Sequence, residues 1–375
     1  MEQQGNAGVS KMLSPLPRQQ RAVVEDAAGR PVIVADAPVP ELRPDSILVK
    51  TVAVAINPCD YKLGALSPSR GAIIGHDFVG GIVQIGRDAA LLRPDLREGD
   101  MVCGMIHGSN PDEPDNGTMA QYLRARPQLV FKVPDGMGVA ESATLGVALA
   151  TSALSLWDAL RLPATPQEPR NDASKTPAYV LVYGASTAVG TMALQLLKLS
   201  GYTPIATCSP RNFDLVKSYG AAYAFDYADE DAAIDSIRLI TGANGLGYAL
   251  DCIADGFSVK CCFGAMARTG GRYVALEKFP EELRPKRRSV KQDFVFALDI
   301  FGLPITAYKG YERDPDFGKH QFAVRWYRNL QRLLDEGKLR AHPLQLLGGG
   351  LEGVVTGLGL LRSGSVSGKK LVVFV

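Results

Sequence analysis

Val180-Leu181-Val182-Tyr183-Gly184-Ala185-Ser186-Thr187-Ala188-Val189-Gly190 reads as a strand that enters a small-residue turn and leaves it as a helix. Beyond the turn, Val189, Met192, Ala193, Leu196 and Leu197 fall on one apolar stripe of helical spacing. A dinucleotide-binding βαβ unit begins in this way. Its glycines let the backbone approach a pyrophosphate, and unpaired N–H groups at the helix start supply partial positive charge. Ser186 stands where the G-x-G-x-x-G fingerprint has its middle glycine, so this stretch alone leaves a purely structural strand–turn–helix open.

The chain that follows favours the binding unit. Strand patterns at Val180–Tyr183, Ile205–Cys208, Ala222–Phe225, Tyr248–Ile253 and Arg272–Leu276 alternate with helical segments such as Asp231–Thr241. That alternation predicts an α/β fold with a doubly wound parallel sheet. Ala140 to Leu160 reads as a buried helix, Leu162 to Thr176 as a surface loop, Phe279 to Lys291 as a break in the rhythm, and Trp326 to Lys338 as a further helix.

Length and composition bound the function. The 375 residues suffice for two domains. Lys+Arg 41 against Asp+Glu 39 gives a formal charge of +2, which favours neither nucleic acid nor an anionic membrane as partner. Six cysteines without C-x-x-C spacing read as reduced thiols of a cytoplasmic protein. Residues 1–18 are expected to be disordered, and the uncharged run Ser142–Trp157 is too short to span a bilayer.

Upstream of the turn, short apolar runs at Ala22–Val24, Val32–Val34, Ile47–Lys50 and Val52–Ile56 predict a compact β unit. It contains Asn57-Pro58-Cys59-Asp60-Tyr61-Lys62, the glycine-punctuated Ile74-Gly75-His76-Asp77-Phe78-Val79-Gly80-Gly81, and Gly99-Asp100-Met101-Val102. The chain ends in Ser367-Gly368-Lys369-Lys370-Leu371-Val372-Val373. This succession resembles the medium-chain dehydrogenase/reductases. The resemblance implies a GroES-like catalytic domain over 19–150, completed by 315–375, and a Rossmann cofactor domain over 151–314.

Zinc members of that family place a cysteine two residues before Cys59 and a second one near the start of the long helix. Here those places hold Asn57 and the Gly146 region, which leaves His76 as one of three ligands, and no metal is expected. Without a Lewis acid, reduction of an activated double bond remains within reach, because its enolate needs only hydrogen-bond or cationic stabilisation. For the cofactor, the end of the second strand of the alternating unit carries Ser209, Pro210, Arg211 and Asn212 and no acid before Asp214. That pattern favours NADPH over NADH, because a ribose 2′-phosphate needs donors where the 2′-hydroxyl needs a carboxylate.

With Tyr248-Ala249-Leu250-Asp251-Cys252-Ile253, these motifs resemble the trans-acting enoyl reductases of fungal polyketide pathways, of the lovastatin-pathway type. Such proteins reduce the α,β-double bond of an acyl thioester on the carrier protein of a polyketide or polyketide–nonribosomal peptide synthase, in secondary metabolism. By that resemblance Asn57, Pro58, Cys59, Asp60, Ser186, Thr187, Ala188, Val189, Ser209, Pro210, Arg211, Asn212, Tyr227, Val274 and Ala275 hold the cofactor. The stretches Val147-Ala148-Leu149-Ala150-Thr151-Ser152-Ala153-Leu154 and Val295-Phe296-Ala297-Leu298-Asp299 line the acyl pocket, although Asp299 puts a carboxylate there. Lys62 is the candidate catalytic residue, as an ammonium near apolar surface that stabilises the enolate or delivers a proton, with Tyr61 as a substitute. The basic run Arg284–Arg288 is a solvated loop or a rim that steers an acidic carrier protein. Val189-Gly190 keeps a stand-alone NADPH quinone or alkenal reductase open, and a non-catalytic NADPH-binding accessory of the synthase is the remaining alternative. Oligomeric state stays open.

Overall fold

The computed structural model describes residues 16–170, 177–242, 245–278 and 287–375. The segment expected to be disordered lies outside these up to residue 15, and Gln19 already opens a strand. Strands β1 (Gln19–Glu25) and β2 (Pro31–Pro38) form an antiparallel hairpin. There follow β3 (Ile47–Ala55), β4 (Asp77–Ile85), β5 (Met101–Met105), β6 (Tyr122–Ala125) and β7 (Val130–Lys132), all antiparallel to their neighbours. Along β3, Ala53 and Ala55 face the large core shared with the second sheet. Val54, and Ile56 just beyond the strand, face the opposite way, onto Leu351, Val354 and Leu358. The two-residue period thus serves two cores, and β3 is buried along almost all its length.

The second sheet consists of β8 (Tyr179–Tyr183), β9 (Thr203–Thr207), β10 (Tyr223–Phe225), β11 (Tyr248–Asp251), β12 (Gly271–Ala275) and β13 (Val290–Phe294). Its order is β10-β9-β8-β11-β12-β13, every pair parallel. Strand β13, Val-Lys-Gln-Asp-Phe, begins inside the segment read as a break; it ends the row, where one open side tolerates polar residues.

The expected helix 140–160 is broken. It comprises Val139–Ser142, Gly146–Ala153 and a wider π turn at Leu154–Ala159. As a whole, Val139–Ala159 has the length and apolarity of a membrane span, but 78% of its apolar window is buried inside the fold. Trp157 at its end stacks on Trp326 of the helix Phe317–Asp335, with ring centroids 3.7 Å apart. The chain then returns to the first sheet. Strand β14 (Leu344–Leu347) runs parallel to β15 (Lys370–Phe374), and β15 pairs antiparallel with β3.

Candidate active site

The order of the parallel sheet reverses between β8 and β11, where the crevice beyond the carboxyl ends of strands collects ligands in such folds. A cleft of about 370 Å³ opens there. One wall is built from Thr187, Ala188 and Val189 after β8, Cys252 and Ile253 after β11, Leu276 and Glu277 after β12, and Val295 to Leu298 after β13. The other comes from the first sheet: Asn57, Pro58, Cys59, Lys62, Leu63, Leu66, His76 and Met105, with Val147 and Thr151 of the long helix and Tyr311 at the rim.

The phosphate end of the cleft is shaped by glycine. Gly184 sits at φ +69, and a Cβ on Gly190 would come within 2.7 Å of the Ala185 backbone, so the helix lies hard against the turn. Thr187 caps that helix, its Oγ1 accepting from Gly190 N at 3.0 Å. The N–H groups just past the cap have no carbonyl one turn back, and they begin the helix at the cleft wall. This cradle fits the pyrophosphate of a nicotinamide dinucleotide.

Opposite it lies a buried polar cluster. His76 Nδ1 and Asp60 Oδ1 are 2.6 Å apart, and Asp60 Oδ2 accepts from Asn57 N at 2.7 Å. The Asn57 amide donates to Asp77 Oδ2 at 2.9 Å and accepts from Lys370 Nζ at 2.8 Å. Lys370 also donates to Asp77, whose Oδ1 accepts from Val147 N at 2.6 Å. The last strand, the cleft loop and the long helix are thereby locked together. Cys59 Sγ lies 3.7 Å from His76 Nδ1. Burial pushes the Cys59 thiol up, and the neighbouring imidazole offsets this only in part. Burial disfavours charge on His76, but Cys59 and Asp60 outweigh it and raise its pKa well above the usual imidazole value.

Cys59, Asp60 and His76 are all of metal-ligating type, and Asp60 is a third member that motif spacing did not reveal. They do not fit zinc. His76 Nδ1 is bound to Asp60, and the second Asp60 oxygen is held by the Asn57 N–H. Cys59 and one imidazole nitrogen then remain, short of the three protein ligands of a catalytic zinc.

The structure redistributes several expected roles. Of the helix residues from Val147 to Leu154, only Val147 and Thr151 line the cleft, because a helix presents one residue per turn; Ala148, Leu149, Ala150, Ser152, Ala153 and Leu154 are buried in the core. Asp299 lies outside the cleft, with Lys319 Nζ at 2.6 Å and Arg313 Nε at 3.4 Å, so the cleft wall gains no carboxylate from it. Val274 and Ala275 are wholly buried in β12, and Leu276 and Glu277 beyond them take the wall position. Asp60 faces His76 and is 1% exposed. Tyr61 packs with Ile56 and Val354, away from the cleft.

Lys62 does line the cleft, but it is half exposed and its Nζ is 2.7 Å from Glu277 Oε2, with Tyr311 donating to the other Glu277 oxygen. That ion-paired rim is not the apolar surface expected around it. Ser186 stays in the turn before the cap, outside the lining. Beyond β9, Ser209 Oγ and Tyr227 Oη are 3.0 Å apart, Pro210 and Arg211 are exposed, and buried Asn212 donates to Ser367 Oγ at 3.2 Å. In the basic run, Arg287 donates to Phe263 O at 2.8 Å and Met266 O at 3.3 Å, closing the helix Gly256–Ala265. Arg288 is exposed, and residues 284–286 lie outside the described residues.

Glu277, Tyr311, Leu276 and Met105 are cleft residues that the sequence reading missed. An acid just past the carboxyl end of a predicted parallel strand was a usable signal for Glu277; Tyr311 has none within its local sequence.

Comparison with known proteins agrees with this architecture. The alcohol dehydrogenase GroES-like domain matches residues 43–135, and the zinc-binding dehydrogenase model matches residues 188–300. The chain is 45% identical over 361 residues to trans-enoyl reductase ccsC of Aspergillus clavatus, covering 96% of this chain and 97% of that protein. It is 47% identical over 361 residues to trans-enoyl reductase caaB of Aspergillus niger, covering 95% and 97%. Among solved structures, CurK enoyl reductase matches with a TM-score of 0.72 at 18% identity, covering 95% of this chain and 98% of that one; this likeness speaks to the fold alone. The chain belongs to the trans-enoyl reductases, oxidoreductases acting on CH–CH groups with a nicotinamide cofactor, built on the medium-chain dehydrogenase/reductase fold.

Proposed function

We propose that this enzyme works with NADPH, in the cytoplasm, on an α,β-unsaturated acyl thioester presented by the carrier protein of a polyketide or polyketide–nonribosomal peptide synthase. The observation that carries the cofactor choice is the turn after β9. Ser209 and exposed Arg211 stand there as donors, Tyr227 shares the Ser209 hydroxyl, and the turn Ser209–Asn212 itself carries no carboxylate for a ribose 2′-hydroxyl.

The cleft supports the substrate class. Leu63, Leu66, Met105, Val147 and Val295 to Leu298 give it a long apolar wall, and it opens past the charged rim of Lys62 and Glu277. Bound reduced nicotinamide supplies a hydride to the β-carbon. The chain's own residues hold the acyl group out of water and place the carbonyl between the two lobes. Lys62, loosened from Glu277, attracts the oxygen-rich thioester arm at the mouth.

The test compares NADPH oxidation with pantetheine enoyl thioesters and with free quinones, and then follows product in reconstitution with a candidate synthase. Turnover of the thioester and a reduced synthase product are expected. Preference for quinones with no effect on synthase product would overturn the reading, and NADPH binding without any turnover would favour an accessory role.

A further inference from the structure

Asp251 ends β11 and is wholly buried, behind the piece of cleft wall that the next two residues, Cys252 and Ile253, form. Both of its carboxylate oxygens are used. Oδ1 accepts from the Ile253 and Ala254 N–H groups, each at 2.9 Å, and Oδ2 from the Ser258 hydroxyl at 2.6 Å and the Tyr273 hydroxyl at 2.8 Å. Ala254 stands at φ +63, in the left-handed region that residues with a side chain rarely adopt. Such a backbone persists only where its surroundings hold it. The loop bent in this way presses on the phosphate cradle. Cys252 N donates to Tyr183 O at 3.0 Å, and a Cβ on Gly184 would come within 2.7 Å of Ile253 Cγ1. The Asp251 carbonyl accepts from Leu276 N at 3.0 Å, so the next part of the wall is tied to the same residue.

We propose that Asp251 is a positioning residue for the nicotinamide dinucleotide, acting through the strained loop that it bends. It keeps Cys252 and Ile253 against the Gly184 turn, so the cofactor meets a wall already ordered. Without the carboxylate, two N–H groups lose their acceptor and Ala254 relaxes, drawing Ile253 away from the turn. Asp251 does not line the cleft, so its effect falls on cofactor affinity and leaves hydride transfer alone.

Asp251→Ala, Asp251→Asn and Asp251→Ala combined with Ala254→Gly test it, each titrated with NADPH and with NADH by nicotinamide fluorescence beside a thermal melt. Asp251→Ala is expected to weaken both cofactors by the same factor, about 10-fold or more, while kcat at saturating cofactor moves by less than about threefold. Asp251→Asn keeps an oxygen for both N–H groups, and the Ser258 and Tyr273 hydroxyls can turn to accept from its amide; it is expected to bind within about threefold of wild type. Adding Ala254→Gly to Asp251→Ala is expected to restore most of the affinity, because glycine takes left-handed backbone freely, while Tm stays below the wild-type value. Ala254→Val keeps the carboxylate but makes the same bend costlier, and it is expected to weaken binding by about threefold or more; it carries the test should Asp251→Ala not fold. Wild-type affinity in folded Asp251→Ala or in Ala254→Val would overturn the proposal. So would a loss that glycine at 254 does not restore, the result expected of a carboxylate that only stabilises the fold. The affinities are read without substrate, so they stand apart from the thioester reading.

Discussion

Lys370 Nζ donates to Asn57 Oδ1 at 2.8 Å across 313 residues of sequence, and the same ammonium is paired with Asp77. The three side chains are 4%, 5% and 0% exposed. Replacing Lys370 with Met leaves the Asp77 carboxylate buried with one cation fewer. The expected loss is roughly 3–5 kcal/mol of unfolding free energy, the scale for breaking a buried pair from one side. Urea unfolding checks it, and a loss below about 1 kcal/mol would mean that the pair is as weak as a surface one.

Lys62 and Glu277 give the opposite expectation. Their side chains are 48% and 33% exposed, so Lys62→Met is expected to change stability by less than about 1 kcal/mol. Its effect falls on substrate capture, with KM for carrier-bound acyl chains rising while Tm stays near the wild-type value. Steady-state kinetics beside thermal melts separate the two.

Arg211 is exposed beyond β9 and carries the cofactor preference in our reading. Arg211→Ala is expected to weaken NADPH binding by about 10- to 100-fold, the worth of one charge-assisted contact, and to leave NADH binding unchanged. Equal weakening of both in fluorescence titrations would place the 2′-phosphate elsewhere.

His342 is 2% exposed and its ring meets Thr191 Oγ1 at 2.9 Å. Burial, aided by the charge of Lys370, lowers its pKa from 6.5 to about 3. The folded protein therefore keeps it neutral where the unfolded chain takes up a proton. Its contribution is full above pH 6.5 and is lost as pH falls from there toward 3. His342→Gln is expected to flatten the fall of stability between pH 6.5 and 5, measured by melts across that window against wild type.

The parallel sheet was legible because its strands are buried on both faces and read as unbroken apolar runs, as in Tyr179–Tyr183. Strand β13 was not, since its five residues include Lys291, Gln292 and Asp293 at the end of the row. The same limit applied to the site. Local motifs marked Asn57 to Lys62 and the turn at Gly184, whose chemistry depends on neighbours in sequence. The partners of those residues come from far along the chain: Glu277 for Lys62, Lys370 for Asn57. Helix phase separated Val147 and Thr151 from the six residues around them, a distinction that a contiguous stretch hides until its axis is placed.

Strand β15 inserts between β14 and β3, and it brings Lys370 to a cluster whose other members, Asn57 and Asp77, are made early in synthesis. During translation the first sheet must therefore wait, with the Asp77 carboxylate short of its cation, through the making of the whole cofactor-binding half. A ribosome stalled before residue 370 would display a nicotinamide cradle without a finished catalytic wall. The last strand to be made thus closes a cluster that the first sheet opens, and the two ends of the sequence settle one wall of the cleft together.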